Sequence, residues 1–280
     1  MHLLPKQIAL ACTMMALVSF TSYRSRAWAQ TSRLTNSTSQ PTPNRTDKPT
    51  NSIPKDERVR LQPRQQELDF SGDGRPGRRA GGGSRSPCPA KDLRLTALMP
   101  MTNWGKTVTA YPTFWFYVPY SPQEAPTGEF ALQDEADNDV YRTPLTLPAT
   151  PGFVSFSLPP TAAPLEVNKW YRWYFKLYCE PQKLSSSIFV QGWVQRVELT
   201  PTLAAQLKAA TSQEYMIYAT HGIWYDALAR LAELRLTNRS NPVFQQDWTK
   251  LLSLKGIGLE RLDREVMVGS TILHQRMVSD

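Results

Sequence analysis

The sequence predicts a mainly β fold with a C-terminal α part: an immunoglobulin-like antiparallel β-sandwich of about seven strands, packed with a small helical hairpin layer. Short runs rich in aromatic and β-branched residues recur over 87–199, separated by Pro, Gly, Asn and Asp clusters. Over 200–258 the apolar residues change to helical spacing. The prolines fall mainly at the ends of the β-type runs, which favours antiparallel strands.

Residues 1–29 have the pattern of a secretory signal peptide. Lys6 precedes a mostly apolar run from Ile8 to Phe20, and Ala27-Trp28-Ala29 forms a small-x-small cleavage pattern. The run is too short to span a bilayer as a helix. We therefore expect an exported protein, periplasmic or secreted, with no transmembrane segment after cleavage. Two arginines ahead of the cut site leave an uncleaved anchor as the alternative.

Residues 30–86 are rich in Ser, Thr, Pro, Gly and Arg, a composition that predicts a disordered linker. This segment carries eleven Lys or Arg against six Asp or Glu, whereas 87–280 carries eighteen of each. The net charge of +8 therefore belongs to the leader and linker, which argues against nucleic-acid binding by the folded part. Gly72–Gly77 has the glycine spacing of a dinucleotide fingerprint but no flanking strand and helix, so no cofactor is predicted.

Seven runs over 87–199 are predicted as strands. They are Leu93–Met99, Thr113–Val118, Glu129–Gln133, Pro144–Leu147, Phe153–Leu158, Trp170–Cys179 and Ile188–Leu199. Alternation within the run that begins at Trp170 places one set of side chains in the core and Trp170, Arg172, Tyr174, Lys176 and Tyr178 on the opposite face. Trp170 and Tyr174 are therefore candidates for stacking on a sugar or anchoring a protein partner, although most of the aromatic residues are expected to fill the core.

Four helical patterns follow over 200–258. They begin at Pro201, Glu214, Ile223 and Val243. Thr200 is the predicted N-cap of the first helix, with Pro201 at its first position. The tail over 259–280 shows no clear pattern and is left unassigned.

Cleavage of the leader leaves two cysteines, Cys88 and Cys179. In an oxidising compartment they are candidates for one disulfide, and two unlinked thiols are the alternative. The remaining histidines, His221 and His274, lack the spacing of a zinc site. The acidic cluster Asp134–Asp139 is better explained as a polar hairpin turn than as a calcium site. No metal site is predicted.

Three arginines near a glycine run, Arg78, Arg79 and Arg85, are candidate ligand contacts. Their guanidinium groups and the flexible backbone could grip an anion. The alternative is a solvated hinge that leads into the sandwich.

Five aromatic and glycine-rich strings closely resemble a known family. They are Gly81–Arg85, Pro112–Pro119, Lys169–Trp173, Gly192–Val194 and Gly222–Leu228. Over roughly residues 77–260 the chain is similar to exported cyanobacterial proteins known as domain of unknown function 928. The resemblance implies a cyanobacterial source and a secreted or periplasmic setting, and it offers no catalytic residues to carry over.

Motifs for hydrolysis are not recognised in the sequence: it has no Gly-x-Ser-x-Gly elbow, and neither remaining histidine is linked by a motif to a serine or cysteine. The sequence favours an exported, non-enzymatic interaction or scaffold module of the cell envelope, whose partner is an unknown envelope protein or glycan. A carbohydrate-binding module that uses exposed aromatic residues is the first alternative. An envelope hydrolase with paired carboxylates is the second.

Overall fold

The computed structural model describes residues 68–81, 88–180, 182 and 187–273. The predicted leader, most of the predicted linker and Arg85 lie outside these residues. The strands are β1 Thr96–Ala97, β2 Trp104–Thr107, β3 Thr113–Val118, β4 Thr127–Gln133, β5 Asp139–Thr146, β6 Gly152–Ser157, β7 Trp170–Tyr178, β8 Ile188–Arg196, β9 Met267–Ser270 and β10 Ile272–Leu273. The helices are α1 Pro201–Ala209, α2 Glu214–Thr220, α3 Trp224–Thr237 and α4 Pro242–Leu252, followed by a 3₁₀ turn at Glu260–Leu262.

The strands form two sheets. The smaller has the order β1-β3-β6-β9, and the larger has the order β10-β5-β4-β7-β8-β2. The mainly β character and the C-terminal helices are confirmed. The prediction of antiparallel pairing throughout is wrong, because β2 pairs with β8 and β9 pairs with β6 in parallel. The immunoglobulin-like connection order stays a prediction.

One proline departs from the expected position at the end of a run. Pro144 lies inside β5, opposite Glu129 of β4. Its missing N–H is tolerated because β5 lies near the sheet edge, where β10 pairs only with Leu145 and Thr146.

Aromatic rings from the two sheets meet in the sandwich core. Phe116 of β3 stacks on Phe175 of β7 with ring centroids 4.1 Å apart, and Phe130 of β4 stacks on Phe156 of β6 at 4.0 Å. All four rings are almost completely buried. Large rings in direct contact remove much apolar area from water, so these contacts define how the sheets pack.

Helix α3 joins the helical layer to both sheets, since it contacts β2, β3 and β9. In its first turn Trp224 donates its indole N–H to the carbonyl of Leu98 at 2.9 Å. The adjacent Tyr225 hydroxyl accepts from the Trp173 indole at 2.8 Å and donates to the carbonyl of Trp193 at 3.0 Å. These buried polar groups are therefore satisfied, and they fix the start of α3 against the larger sheet.

The helix boundaries follow the capping residues in the sequence. The Thr200 side chain accepts a hydrogen bond from Leu203 N at 3.3 Å, with Pro201 in the first turn, as the sequence predicts. Helix α2 ends at Thr220 with His221 as its C-cap, and Gly222 follows with φ of 68°. Glycine tolerates this left-handed conformation, so the chain can turn into α3. None of the helices in the described ranges combines the length and apolar character needed to cross a membrane.

Residues 68–81 form a strap along the domain, which differs from the disordered linker predicted for this part. Phe70 N donates to the carbonyl of Lys255 at 2.9 Å, and Phe70 packs edge-on against Trp224. Farther along, Arg78 and Gln191 of β8 exchange backbone hydrogen bonds of 2.9 and 2.8 Å. The composition of this segment did not predict the strap, because it is held mainly by main-chain hydrogen bonds and by few apolar side chains.

Candidate functional site

The face of the larger sheet that points away from the sandwich core carries interleaved aromatic and cationic side chains. We call this set the aromatic–cation patch: Arg75, Arg78, Trp104, Trp170, Arg172, Tyr174, Lys176, Phe189 and Trp193. Strand alternation brings these residues to one face, and cross-strand pairing sets Arg172 of β7 beside Trp193 of β8, which in turn lies beside Trp104 of β2. The nonstrand members, Arg75 and Arg78, come from the strap.

Guanidinium and ammonium groups lie over the rings of this patch. The Arg75 guanidinium carbon is 3.7 Å from the centroid of the Trp170 ring and 4.8 Å from that of Trp193. The Arg172 guanidinium lies 5.5 Å from the Trp193 ring and 5.4 Å from the Tyr174 ring. Each such contact contributes about 0.5–1 kcal/mol at a partly exposed site. The contacts together hold the rings and cations in fixed positions.

The indole N–H groups at one end of the patch bind the backbone of the strap. Trp104 donates to the carbonyl of Asp73 and Trp193 donates to that of Pro76, each at 2.9 Å. Trp104 also packs edge-on against Trp170 at a centroid distance of 5.3 Å. This end of the patch therefore has a structural role.

Tyr174 lies at the other end of the patch, between two cations on its own strand. Its ring centroid is 5.4 Å from the Arg172 guanidinium and 5.6 Å from the Lys176 ammonium group. Burial raises the pKa of Tyr174, so its hydroxyl stays protonated and can donate a hydrogen bond.

Carboxylates pair with the cations around Tyr174. Arg172 binds Asp137, and Lys176 binds Glu129 at 3.2 Å. Arg142 pairs with both Glu129 and Asp139. The hydrogen bond from Arg142 and a second from Gln133 lower the pKa of Asp139 to about 2. The charges are therefore largely compensated within the sheet, and they hold side-chain positions more than they create a net field.

The three arginines named from the glycine-rich segment lie in different environments. Arg78 faces the patch, with its guanidinium 4.5 Å from the Phe189 ring. Arg79 points to the other side of the strap, where its guanidinium donates to the carbonyls of Ile257 and Gly258. Burial lowers the pKa of Arg79 to about 10. Arg78 and Arg79 therefore face different sides of the strap, and Arg85 lies outside the described residues.

The predicted pair Cys88 and Cys179 forms a disulfide, with Cα atoms 5.2 Å apart and a sequence separation of 91. The acidic cluster forms the turn between β4 and β5, where Asp134 accepts hydrogen bonds from the backbone N–H groups of Ala136 and Asn138. Within the described ranges, no group of three or more His, Cys, Asp or Glu side chains is placed to hold a metal ion.

Sequence reasoning identified Trp170 and Tyr174 but missed Arg75, Trp104 and Trp193 as parts of one surface. The alternation within β8 could have pointed to Trp193, because Phe189, Gln191 and Trp193 share a face. Arg75 carries no such signal, since its position depends on contacts between the strap and residues far along the chain.

The fold and this surface define a two-sheet β domain with a C-terminal helical layer and a partly exposed, aromatic-rich sheet face. The model of a family described as Domain of Unknown Function (DUF928) matches residues 80–267. The chain belongs to this family, and the family description names no activity. Searches of curated proteins and of solved structures gave no match.

Proposed function

We propose that the chain is an exported, non-enzymatic protein-interaction module of the cell envelope and that the aromatic–cation patch is its binding surface. The observation that carries this proposal is the composition of the patch: tryptophan, tyrosine, phenylalanine and arginine side chains lie together on one sheet face. These residue types are enriched in the centres of protein interfaces.

Contacts within the patch also preorganise its side chains for binding. Arg172 is held by Asp137 and lies beside two rings, and its side chain is only 23% exposed. Lys176 is held by Glu129. Side chains that are already fixed lose less conformational entropy when a partner covers them. A rigid face of this kind supports recognition of a folded protein or an extended protein segment.

Sugar stacking on Trp170 has less support than protein binding. The Arg75 guanidinium lies 3.7 Å from the Trp170 ring centroid, and Trp104 makes a T-shaped contact with the same indole. A sugar that stacked on the face covered by Arg75 would have to displace that arginine and part of the strap.

Export is supported by the disulfide and by the predicted leader. A bond between Cys88 and Cys179 persists in an oxidising compartment and is uncommon in a reducing cytosol. Cell fractionation of the full-length chain, with the redox state of the two cysteines measured in each fraction, tests this part of the proposal.

The binding surface is tested by site-specific photocrosslinking in intact cells. A photoreactive amino acid replaces Tyr174 in one chain and Met216 in a second, because Met216 lies on α2 and is 45% exposed. We expect a defined protein adduct from position 174 and none from position 216. With the crosslinker at Tyr174, the added substitution Arg172→Ala should lower the adduct yield by about tenfold or more.

Each chain is first checked for a wild-type thermal transition, so that loss of an adduct reports binding. Equal adducts from both positions, or an adduct from position 174 that Arg172→Ala leaves unchanged, would contradict binding through the patch. Absence of any protein adduct at position 174 would contradict it as well.

A further inference from the structure

A second surface, on the opposite side of the sandwich, forms a groove between α3 and the smaller sheet. Its volume is about 370 Å³. We call it the hydroxyl groove, and it is lined by Thr113, Trp115, Ser155, Ser157, Tyr218, Asp226, Ala229, Arg230, Glu233, Leu236 and Ser270. A volume near the lower end of the small-molecule range suits a ligand of modest size.

The floor of the groove is made of small hydroxyl side chains from three neighbouring strands. Thr113 of β3 pairs with Ser157 of β6, and their hydroxyl oxygens are 2.8 Å apart. Ser155 of β6 pairs with Ser270 of β9. Since paired residues point to the same face of a sheet, these hydroxyl groups line one surface.

The same sheet face changes character where α4 covers it. There Tyr117 pairs with Phe153, and Phe153 packs edge-on against Trp248 at a centroid distance of 5.2 Å. The face is therefore apolar beneath the helix and rich in hydroxyls beneath the groove. The change from apolar to hydroxyl side chains occurs along the same strands, at the point where the cover of α4 ends and the groove begins.

The groove floor is polar and buried only in part, because Ser157 and Ser270 are exposed. Ser155 and Trp115 are each only 4% exposed, and the Trp115 indole N–H has no hydrogen-bond partner among the described residues. A buried donor without a partner is costly, which points to an acceptor that a ligand supplies.

The groove wall excludes an anionic ligand. Its one cation, Arg230, already pairs with Glu214 at 3.4 Å and Glu233 at 2.8 Å. Asp226 and Glu233 add acceptors, and Tyr218, whose pKa is raised by burial, keeps its phenolic proton for donation. The wall and floor together offer both donors and acceptors with no free positive charge.

We propose that the hydroxyl groove binds a neutral saccharide or similar polyol. Each hydroxyl of such a ligand both donates and accepts, which matches the mixture of serine, threonine, carboxylate, phenol and indole groups. An apolar ligand would leave the Trp115 N–H without a partner. The site is separate from the aromatic–cation patch and does not depend on the function proposed for it.

The proposal is tested on the full chain by ligand-observed NMR and calorimetry. The probes are glucose, N-acetylglucosamine, maltose and cellobiose, each up to about 10 mM, since one small groove is expected to bind in the millimolar range. At least one probe should bind with a one-to-one stoichiometry. Glucuronate and spermidine serve as charged comparisons and should bind more weakly.

Two substitutions locate the binding. Ser155→Ala removes one hydroxyl and should weaken binding between about twofold and tenfold, as loss of one neutral hydrogen bond does. Ala229→Leu extends a helix side chain into the groove and should remove detectable binding. Tyr174→Ala, on the opposite sheet face, should leave binding unchanged. All variants are compared for near-ultraviolet circular dichroism and thermal transition.

The proposal is overturned if none of the neutral probes binds the wild-type chain, or if a charged comparison binds more tightly. It is also overturned if both groove substitutions fold normally and bind as the wild type does. Loss of saccharide binding in Tyr174→Ala alone would place the saccharide on the aromatic–cation patch instead.

Discussion

Asp226 is a buried carboxylate whose ionisation is expected to oppose folding at neutral pH. It lies in the first turn of α3 and accepts a hydrogen bond from Val108 N at 3.3 Å. The Thr107 side chain and the Thr109 backbone N–H also donate to it. Burial outweighs these bonds and raises the pKa of Asp226 to about 6.

The free energy involved follows from the difference between the folded and unfolded pKa values. The unfolded chain has an aspartate pKa of 3.8, so the difference is about two units, or about 2–3 kcal/mol. The folded state binds the proton more tightly. The stabilisation that protonated Asp226 contributes is therefore fully present below about pH 4, decreases as the pH rises, and is lost above about pH 6.

Asp226→Asn replaces the carboxyl by a neutral group of the same shape. We expect the variant to be more stable than the wild type by about 1–3 kcal/mol near pH 7, with the difference vanishing near pH 4. Urea unfolding across this pH range measures the change. Asp226→Ala is the control: it removes the acceptor, and it should lose about 1–3 kcal/mol near pH 4, where the carboxyl is neutral.

Lower stability of Asp226→Asn than of the wild type near pH 7 would contradict the raised pKa of Asp226. An equal pH dependence of the two chains between pH 4 and pH 6 would contradict it as well. Either result would mean that the donors of Thr107, Val108 and Thr109 stabilise the ionised carboxylate more than burial destabilises it.

Three further perturbations test the packing. Replacing Cys88 and Cys179 by serine should lower the free energy of unfolding by about 2–4 kcal/mol, because the disulfide restricts the unfolded chain. Urea unfolding of the oxidised wild type and of the variant measures this difference. Equal unfolding midpoints would contradict a stabilising role of the disulfide. Arg75→Ala removes the cation that lies over two indoles. The rate of amide hydrogen exchange in the strap should therefore rise about fivefold or more, while exchange in the core is unchanged. Unchanged exchange in the strap would show that its backbone hydrogen bonds hold it without Arg75. Gly192→Ala would place a methyl group 2.5 Å from the Trp173 ring. This clash should lower the free energy of unfolding by about 1–3 kcal/mol, as measured by thermal unfolding. A wild-type transition temperature would refute the close contact.

Local sequence patterns predicted the regular elements that carry their own signals. The strict alternation from Trp170 gave the position and core face of β7, since side chains of a strand point to opposite sides. The Thr200-Pro201 pair gave the start of α1, because the cap and the fixed proline φ are local properties. The disulfide was foreseen from the two cysteines that follow the predicted leader.

Short elements and the candidate sites depended on contacts between distant parts of the chain. The four residues of β2 form a strand because β8 pairs with them in parallel, and β9 forms beside β6 in the same way. The strap has a linker's composition, yet the indoles of Trp104 and Trp193 bind its carbonyls.

The sequence by itself determined the β and α regions, the main core faces and the cysteine pair, because these depend on periodicity, capping and residue type. Only the tertiary structure decided how the strap is held, which cations lie over which rings, and that a groove lined by hydroxyl side chains opens beside α3. Those features arise from pairings between residues far apart in the chain, where composition and local spacing carry little information.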